Sequence, residues 1–214
     1  MNALGSAAAC AALGYASGSL PWGLWLGRWF RGVDVRTLGS GNLGATNVFR
    51  SLGRTLGITT LLLDMLKGAL PVWIVPALPL ADAFPGGKEI CALTVGFAAV
   101  AGHVWTFLAG FRGGRGVAAT AGVLIAIAPR AFAAFAVVFV AAVALTGYVS
   151  LGSVLGAVAF TAALAFVAPG GMRSPTFVFG AILALLVIWR HRANLERLVA
   201  GTERRFTWRR GGAA

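Results

Sequence analysis

Long runs of apolar residues recur along the chain, separated by short polar segments that are rich in glycine and arginine. Strand-like alternation of polar and apolar positions is absent. Runs of this length predict helices that cross a membrane, because only helices and closed barrels satisfy every backbone hydrogen bond inside a bilayer. The runs occupy about residues 4–27, 57–80, 90–110, 117–129, 131–148, 151–168 and 174–190. The pattern therefore predicts an all-α integral membrane protein.

The number of crossings depends on residues 117–148. This region is too short for two ordinary spans, since a helix needs roughly 20 residues to cross the hydrocarbon core. Pro129 and Arg130 interrupt it, which predicts either two short helices or one kinked helix. The distribution of charge favours seven transmembrane helices, with the N-terminus outside and the C-terminus cytoplasmic. The alternative is five spans plus a re-entrant region.

Seven spans place 14 of the 18 basic residues on the inner side, as the positive-inside rule expects. These are Arg28, Arg31, Arg36, Arg50, Arg54, Arg112, Arg115 and the seven arginines from Arg190 to Arg210. The outer residues are Lys88, Arg130 and Arg173, while Lys67 lies within a span. In the first run the arginines follow the apolar stretch, the reverse of a cleaved signal peptide, so this run is predicted to be the first span. We expect one domain over residues 1–214, ending in a basic cytoplasmic tail at 190–214.

Composition excludes a soluble domain, because 11% of the residues are charged, against about 25% in soluble proteins. The net charge of +12 would suggest nucleic acid for a soluble protein, but no basic domain of independent size exists here. Membrane lipid is therefore the expected partner, and nucleic acid is not. Cys10 and Cys91 lie in apolar runs, which excludes a disulfide framework and a cysteine-rich metal site.

Two glycine-rich segments have the composition of phosphate-binding loops. Residues 39–50 contain Ser40, Gly41, Asn42, Thr46, Asn47 and Arg50. Residues 102–116 contain His103 and then Arg112, Gly113, Gly114 and Arg115. Glycine lets backbone N–H groups approach an anion, and guanidinium groups bind phosphate in a bidentate manner. A flexible capped loop is the alternative for the first segment. A positively charged inner loop is the alternative for the second, although it leaves the glycines unexplained.

An ionisable pair, Asp64 and Lys67, lies within the second apolar run. Residues three apart share a helix face and can form an ion pair. Ionisable groups inside a span are costly, and they are candidates for function. The spacing fits a structural ion pair and a substrate-binding role equally well.

The last polar cluster lies where the final span ends. His191, Asn194 and Arg197 recur there at helical spacing, and Glu203 follows. Tyr148, Ser150 and Ser153 lie at the start of another span on the same predicted side. The alternatives are a basic tail at the level of the lipid headgroups and helix packing through small residues.

These segments, in this order, resemble the membrane glycerol-3-phosphate acyltransferases that use acyl phosphate as the donor. The segments are GSGNLGATNVFR at 39–50, DMLKG at 64–68, GHVWTFLAGFRGGRGVAAT at 102–120, YVSLGS at 148–153 and HRANLERLVAGTE at 191–203. Each is short, but together they extend across nearly the whole chain. In one departure, Arg112 and Arg115 stand where the family has lysines. Arginine keeps the charge and binds phosphate, but it is bulkier and stays protonated.

The resemblance implies transfer of a fatty acyl group from acyl phosphate to the 1-position of glycerol 3-phosphate, the first acylation of phospholipid biosynthesis. The products would be lysophosphatidate and inorganic phosphate, formed at the cytoplasmic side of the inner membrane. Neither a cofactor nor a metal is implied. Functional coupling to the enzyme that makes acyl phosphate is an expectation, although the sequence has no visible motif for docking that enzyme. The alternative function is a transporter of a phosphorylated metabolite, because intramembrane charge pairs and broken helices also suit carriers.

The resemblance and the residue chemistry together assign the site. The catalytic residues are expected to be Ser40, Asn47, Ser150, His191 and Asn194. Phosphate binding is expected of Gly41, Asn42, Thr46, Arg50, Arg112, Gly113, Gly114, Arg115 and Ser153. Supporting roles are expected of Asp64, Lys67, His103 and Glu203. The acceptor of the hydroxyl proton is either a substrate phosphate or His191.

Overall fold

The structure, a computed structural model, describes residues 2–206. The described residues form ten α-helices joined by turns and five short 3-10 helices, with no strand among them. The α-helices are α1 Ala3–Gly18, α2 Trp22–Arg31, α3 Ala45–Leu52, α4 Arg54–Ile74, α5 Gly87–Val104, α6 Val117–Ile127, α7 Pro129–Thr146, α8 Val149–Val167, α9 Pro175–Arg190 and α10 Arg192–Val199. The predicted all-α architecture is confirmed.

Five helical segments within residues 2–206 are long and apolar enough to cross a membrane. They are Ala3–Arg31, Arg54–Ala77, Gly87–Ala109, Pro129–Thr146 and Val149–Val167. A sixth crossing results if α9 and α10, which meet at a 55° bend, are one broken span. The α6 helix is apolar but shorter, at 11 residues. Length and composition therefore support five or six spans, and the predicted count of seven and the orientation stay predictions.

Residues 117–148 form two helices and not one kinked helix. Ala128 separates them with φ −144° and ψ 71°, outside the helical region. Pro129 takes the first position of α7, where its missing N–H sacrifices no helical hydrogen bond. The α7 helix ends at Gly147, whose φ of 76° is in the left-handed region that favours glycine.

The described helices belong to two compact units, one within Met1–Ile127 and the other within Ala128–Arg209. In the first unit, α1 packs along α5, and α4 packs against α3 and α6. In the second unit, α7 and α8 form an antiparallel hairpin, with Gly152 near Phe139 and Gly156 near Phe135. The α9 helix packs against α8.

Glycines allow the close approach of α1 to α5. A Cβ atom on Gly14 would lie 2.5 Å from the carbonyl oxygen of Val95, and one on Gly18 would lie 1.9 Å from that of Ala99. Neither distance is sterically possible, so both positions exclude any larger residue while the helices keep this separation. Small residues four apart are a common means of helix association in lipid, where backbone contact replaces the hydrophobic effect.

Replacement of Gly18 by alanine is therefore expected to force α1 away from α5. Overpacking of this kind costs roughly 1–3 kcal/mol. We expect Gly18→Ala to lower the midpoint of thermal unfolding in detergent, measured by tryptophan fluorescence. Ala12→Val is the matched control, because it adds volume to the exposed face of the same helix. Equal midpoints for Gly18→Ala and the wild type would contradict this packing.

Candidate active site

A buried asparagine organises the glycine-rich loop that precedes α3. The Oδ1 atom of Asn47 accepts a hydrogen bond from the backbone N–H of Ser40 at 2.9 Å. Its Nδ2 atom lies 3.2, 3.0 and 2.9 Å from the carbonyl oxygens of Val35, Leu38 and Asn42. Asn47 therefore holds the loop in shape from the inside. Because backbone groups of the loop are hydrogen-bonded to the side-chain amide of Asn47, the proposed catalytic role of Asn47 would be to position the loop.

The loop presents small polar groups at its surface. Asn42 accepts a hydrogen bond from the backbone N–H of Gly44 at 2.8 Å, which closes a tight turn. Gly39 has a φ of 58°, and a Cβ atom there would lie 2.4 Å from Oδ1 of Asn47. Glycine is consequently required at position 39. Ser40 and Gly41 are left exposed at the tip of the loop.

An aspartate just before this loop holds two arginines. Oδ1 of Asp34 accepts hydrogen bonds from the backbone N–H and the Nε–H of Arg36, both at 2.9 Å. Its Oδ2 accepts from Nη2 of Arg36 at 2.6 Å and from Nη2 of Arg28 at 2.9 Å. The side-chain hydrogen bond from Arg36 is the main reason that the pKa of Asp34 lies well below its usual range. Asp34 is therefore ionised at neutral pH, and the hydrogen bond to its carboxylate, together with its charge, raises the pKa of Arg36.

The arginine-bearing loop at residues 111–116 packs against the C-terminal end of α5. The backbone N–H groups of Gly113 and Gly114 donate to the carbonyl oxygens of Val104 and His103, both at 3.1 Å. A Cβ atom on Gly113 would lie 1.9 Å from the His103 carbonyl oxygen, and one on Gly114 would lie 2.0 Å from Nε2 of His103. The glycines therefore permit close packing on the helix end. Their N–H groups, which the sequence suggested as phosphate ligands, are already used by α5.

The two loops meet at a cavity of about 340 Å³ in the first unit. The cavity is lined by Arg36, Ser40, Gly41, Asn42, Arg112 and Gly113. This volume is within the range of small-molecule sites. Arg36 was not among the predicted site residues. The signal that could have revealed it is an arginine two residues after an aspartate and four before Ser40, at the edge of the glycine-rich loop.

Four predicted phosphate ligands of the first unit lie outside the lining of this cavity: Thr46, Arg50, Gly114 and Arg115. Arg50 is in the last turn of α3 and is partly buried. Thr46 is the second residue of α3, and Arg115 precedes α6; both are also partly buried. Their roles in phosphate binding stay predictions.

A buried ionic cluster lies in the helices of the first unit. Nζ of Lys67 is 2.7 Å from Oδ1 of Asp64, so the predicted ion pair is confirmed. The same ammonium group donates to the carbonyl oxygen of Leu20 at 2.6 Å. Nδ1 of His103 lies 3.6 Å from Oδ1 of Asp64. All three side chains are at most 5% exposed, and the opposite charges of Asp64 and Lys67 compensate each other.

In the second unit, Glu203 joins the predicted polar residues. Its Oε1 atom accepts hydrogen bonds from Oγ of Ser150 at 2.9 Å and from Nδ2 of Asn194 at 2.5 Å. Its Oε2 atom accepts from Nε of Arg197 at 2.8 Å. Burial opposes ionisation of the carboxyl group, but the hydrogen bonds from Asn194, Ser150 and Arg197 outweigh it and lower the pKa of Glu203.

His191 lies at the bend between α9 and α10 and is buried. Its Nδ1 atom is 2.8 Å from the carbonyl oxygen of Val187. Because a carbonyl only accepts, Nδ1 carries the proton, and in the neutral ring the lone pair is on Nε2. Ser153 donates to the carbonyl oxygen of Val149 at 2.8 Å, within its own helix.

The segment after α10 returns to the start of α8. The backbone N–H of Phe206 donates to the carbonyl oxygen of Gly147 at 2.6 Å, and the Arg205 guanidinium lies 5.4 Å from the ring centre of Tyr148. Part of the predicted tail is therefore packed against its own unit. Residues 207–214, with Arg209 and Arg210, lie outside the described residues.

The chemistry available in the first-unit cavity is charge and hydrogen bonding. Two arginines stand among neutral donors, and the lining contains no carboxylate. Such a surface binds phosphate and stabilises negative charge that develops during a reaction. Within residues 2–206, no group of three or more histidine, cysteine or acidic residues is placed to hold a metal ion.

Residues 8–201 match the family model described as glycerol-3-phosphate acyltransferase. The glycerol-3-phosphate acyltransferase of Geobacter sulfurreducens is 45% identical over 196 residues, which cover 91% of this chain and 95% of that protein. That of Myxococcus xanthus is 45% identical over 195 residues, covering 91% and 96%. That of Listeria monocytogenes is 42% identical over 196 residues, covering 92% and 94%.

Crystal structures of PlsY (YgiH), an integral membrane glycerol 3-phosphate acyltransferase, have the same fold. The glycerol 3-phosphate form superposes with a TM-score of 0.83 at 34% identity, and the lysophosphatidic acid form with a TM-score of 0.80 at 34% identity. Each comparison covers 95% of this chain and 96% of that one. The chain therefore belongs to the glycerol-3-phosphate acyltransferase family of multi-pass integral membrane proteins.

Proposed function

We propose that the protein transfers a fatty acyl group from acyl phosphate to the 1-position of glycerol 3-phosphate, releasing lysophosphatidate and inorganic phosphate. The observation that carries this proposal is the polar cavity at which the glycine-rich loop and the arginine loop meet. Both substrates bear a phosphate group, and the cavity offers two cations with neutral donors. The related PlsY structures are described as glycerol 3-phosphate and lysophosphatidic acid forms, which agrees with this acceptor and this product.

The chemistry requires orientation and charge compensation. Acyl phosphate is a mixed anhydride and is already activated. The acceptor hydroxyl oxygen attacks the acyl carbonyl carbon, the bond from that carbon to the phosphate oxygen breaks, and phosphate leaves. Arg112 binds phosphate, with Ser40 and Asn42 as neutral donors and Gly41 allowing close approach. Arg50, Arg115 and Thr46 are further proposed ligands.

In the second unit, Ser150, Asn194 and His191 are proposed to position substrate groups. Glu203 fixes the first two, because both donate to the same carboxylate oxygen. His191 has its Nδ1 committed to Val187, so Nε2 is the nitrogen able to take the hydroxyl proton. A substrate phosphate is the other candidate acceptor. Ser153 is a proposed phosphate ligand.

The proposed topology has seven crossings, with the N-terminus outside and the active site at the cytoplasmic face of the inner membrane. The count of seven crossings is the sum of the five long helical segments, the bent pair α9–α10 and the short α6 helix. Support comes from the charge distribution, since 14 of the 18 basic residues are then on the inner side. Functional coupling to the enzyme that makes acyl phosphate is part of the proposal.

The proposal is tested with purified protein in detergent, palmitoyl phosphate and glycerol 3-phosphate. We expect inorganic phosphate to be released only when both substrates are present, in step with formation of lysophosphatidate. Uptake measured with the same protein in sealed vesicles distinguishes an enzyme from a transporter. Uptake of glycerol 3-phosphate into the vesicles without acyl transfer would contradict the enzyme and support a transporter.

Substitution of Arg112 tests phosphate binding by the cavity. A hydrogen bond to a charged group contributes about 1.5–3 kcal/mol, so Arg112→Ala is expected to raise the KM of a phosphate-bearing substrate roughly 10- to 100-fold. Arg112→Lys introduces the lysine that the family motif has at this position and should recover most of this loss. Arg173→Ala, an exposed arginine on the predicted outer side, is the matched control. Normal KM values in Arg112→Ala would exclude Arg112 as a phosphate ligand.

The Glu203 network is tested by its dependence on pH. A carboxyl group whose pKa is lowered in the folded state stabilises the fold above its unfolded pKa, and this contribution is lost as the pH falls through the folded value. Acidification from about pH 6 to about pH 3 should therefore lower the unfolding midpoint more in the wild type than in Glu203→Gln. Glu196→Gln, an exposed position on α10, should follow the wild type. Parallel pH curves for Glu203→Gln and the wild type would refute the network.

A further inference from the structure

The phosphate cavity has a second arginine in its wall that belongs to none of the glycine-rich motifs. Arg36 lies in a short 3-10 helix, Val35–Thr37, between α2 and the glycine-rich loop. We propose that Arg36 is a phosphate-binding residue of the active site and that Asp34 is the positioning residue that aligns it. This inference rests on the proposed function, since it assigns the phosphate of one of the two substrates to Arg36.

Asp34 holds both the guanidinium group and the main chain of Arg36. Nε and Nη2 of Arg36 donate to Oδ1 and Oδ2 of Asp34, at 2.9 and 2.6 Å, in a bidentate pair. The carboxylate also accepts from the Arg36 backbone N–H, while the hydroxyl of Thr37 donates to the Asp34 carbonyl oxygen at 2.8 Å. The main chain and the side chain are thus held by the same residue. A guanidinium group held in this way loses little further entropy when it binds an anion.

The hydrogen bonds to Asp34 leave N–H groups of Arg36 that can bind a ligand. A guanidinium group has five N–H bonds, and Asp34 occupies the one on Nε and one of the two on Nη2. The remaining three are available on the side chain that lines the cavity. Arg36 is 37% exposed at its side chain, so the guanidinium is accessible from solution.

The local charge favours an anion despite the aspartate. Asp34 carries one negative charge and contacts two arginines, Arg36 and Arg28, so the three side chains together keep one positive charge. Arg112 adds another across the cavity lining. A phosphate dianion would neutralise this pair of charges. The lining has no apolar side chain, so the group that it binds is a phosphate head and not an acyl chain.

Arg28 provides an internal comparison. Its Nη2 donates to the same oxygen of Asp34, at 2.9 Å, but Arg28 does not line the cavity. Arg28 has the same charge as Arg36 and the same ion-pair partner, Asp34, but it does not reach the proposed phosphate. An effect that arises only from loss of an Asp34 ion pair should therefore appear in both arginine variants, whereas a binding effect should appear in Arg36 variants alone.

The kinetic experiment compares Arg36→Ala, Arg36→Lys, Asp34→Asn and Arg28→Ala with the wild type in detergent. We expect Arg36→Ala to raise the KM of one substrate at least about 10-fold while kcat changes by less than about threefold. Asp34→Asn should raise the same KM by a smaller factor, and Arg36→Lys should fall between Arg36→Ala and the wild type. Arg28→Ala should match the wild type.

The two KM values identify which phosphate Arg36 binds. A rise confined to glycerol 3-phosphate assigns the acceptor phosphate, and a rise confined to palmitoyl phosphate assigns the donor phosphate; either result supports the inference. Unchanged KM values in Arg36→Ala and Arg36→Lys would overturn it. An equal change in Arg28→Ala would also overturn it, because loss of the ion pair would then explain the effect.

A binding experiment separates this inference from the proposed reaction. Isothermal titration with glycerol 3-phosphate, and separately with inorganic phosphate, needs no acyl transfer. A loss of at least about 10-fold in affinity for one of these ligands in Arg36→Ala supports the inference even if the wild type proves inactive with acyl phosphate. If acyl transfer occurs and neither affinity nor KM changes in the folded variants, the proposed function stands and the role of Arg36 is refuted.

Discussion

The arrangement of the first unit depends on an ion pair buried within its helices. Charged groups in apolar surroundings are costly unless each is paired and hydrogen-bonded. Lys67 satisfies this requirement with Asp64, at 2.7 Å, and with the carbonyl oxygen of Leu20, at 2.6 Å. Asp64 also lies near His103 of α5. Because loss of either member of this ion pair would leave an uncompensated charge, the pair restricts how α4 and the segment after α1 can move relative to one another, and the contact with His103 adds α5 to the cluster.

His103 connects this buried cluster to the cavity that is proposed to bind phosphate. The carbonyl oxygen of His103 accepts from Gly114, while the imidazole ring occupies the space that a side chain at position 114 would need. The loop that carries Arg112 is therefore anchored to the helix that completes the buried cluster. On the other wall, Asn47 and Asp34 fix the glycine-rich loop and Arg36. Both walls are thus held by internal contacts, and preorganised donors of this kind suit charge stabilisation.

Local sequence patterns predicted the features that depend on local rules. Apolar runs located the helices, and the spacing of Asp64 and Lys67 predicted their ion pair. The remaining features depend on contacts between segments that are distant in sequence. From the sequence, the N–H groups of Gly113 and Gly114 are expected to donate hydrogen bonds to phosphate. In the structure, carbonyl oxygens at the end of α5 accept both hydrogen bonds. In the sequence, Arg36 is one of many arginines on the predicted inner side, and only the folded structure places it in the cavity wall.

A crystal structure of the protein soaked with tungstate, a heavy-atom analogue of phosphate, tests the phosphate site most directly. We expect an anomalous peak in the cavity, with tungstate oxygens at charge-assisted hydrogen-bond distance, about 2.7–2.9 Å, from the guanidinium groups of Arg36 and Arg112. Anomalous peaks only at other places on the protein, with this cavity empty, would contradict the assignment of the cavity as the phosphate site.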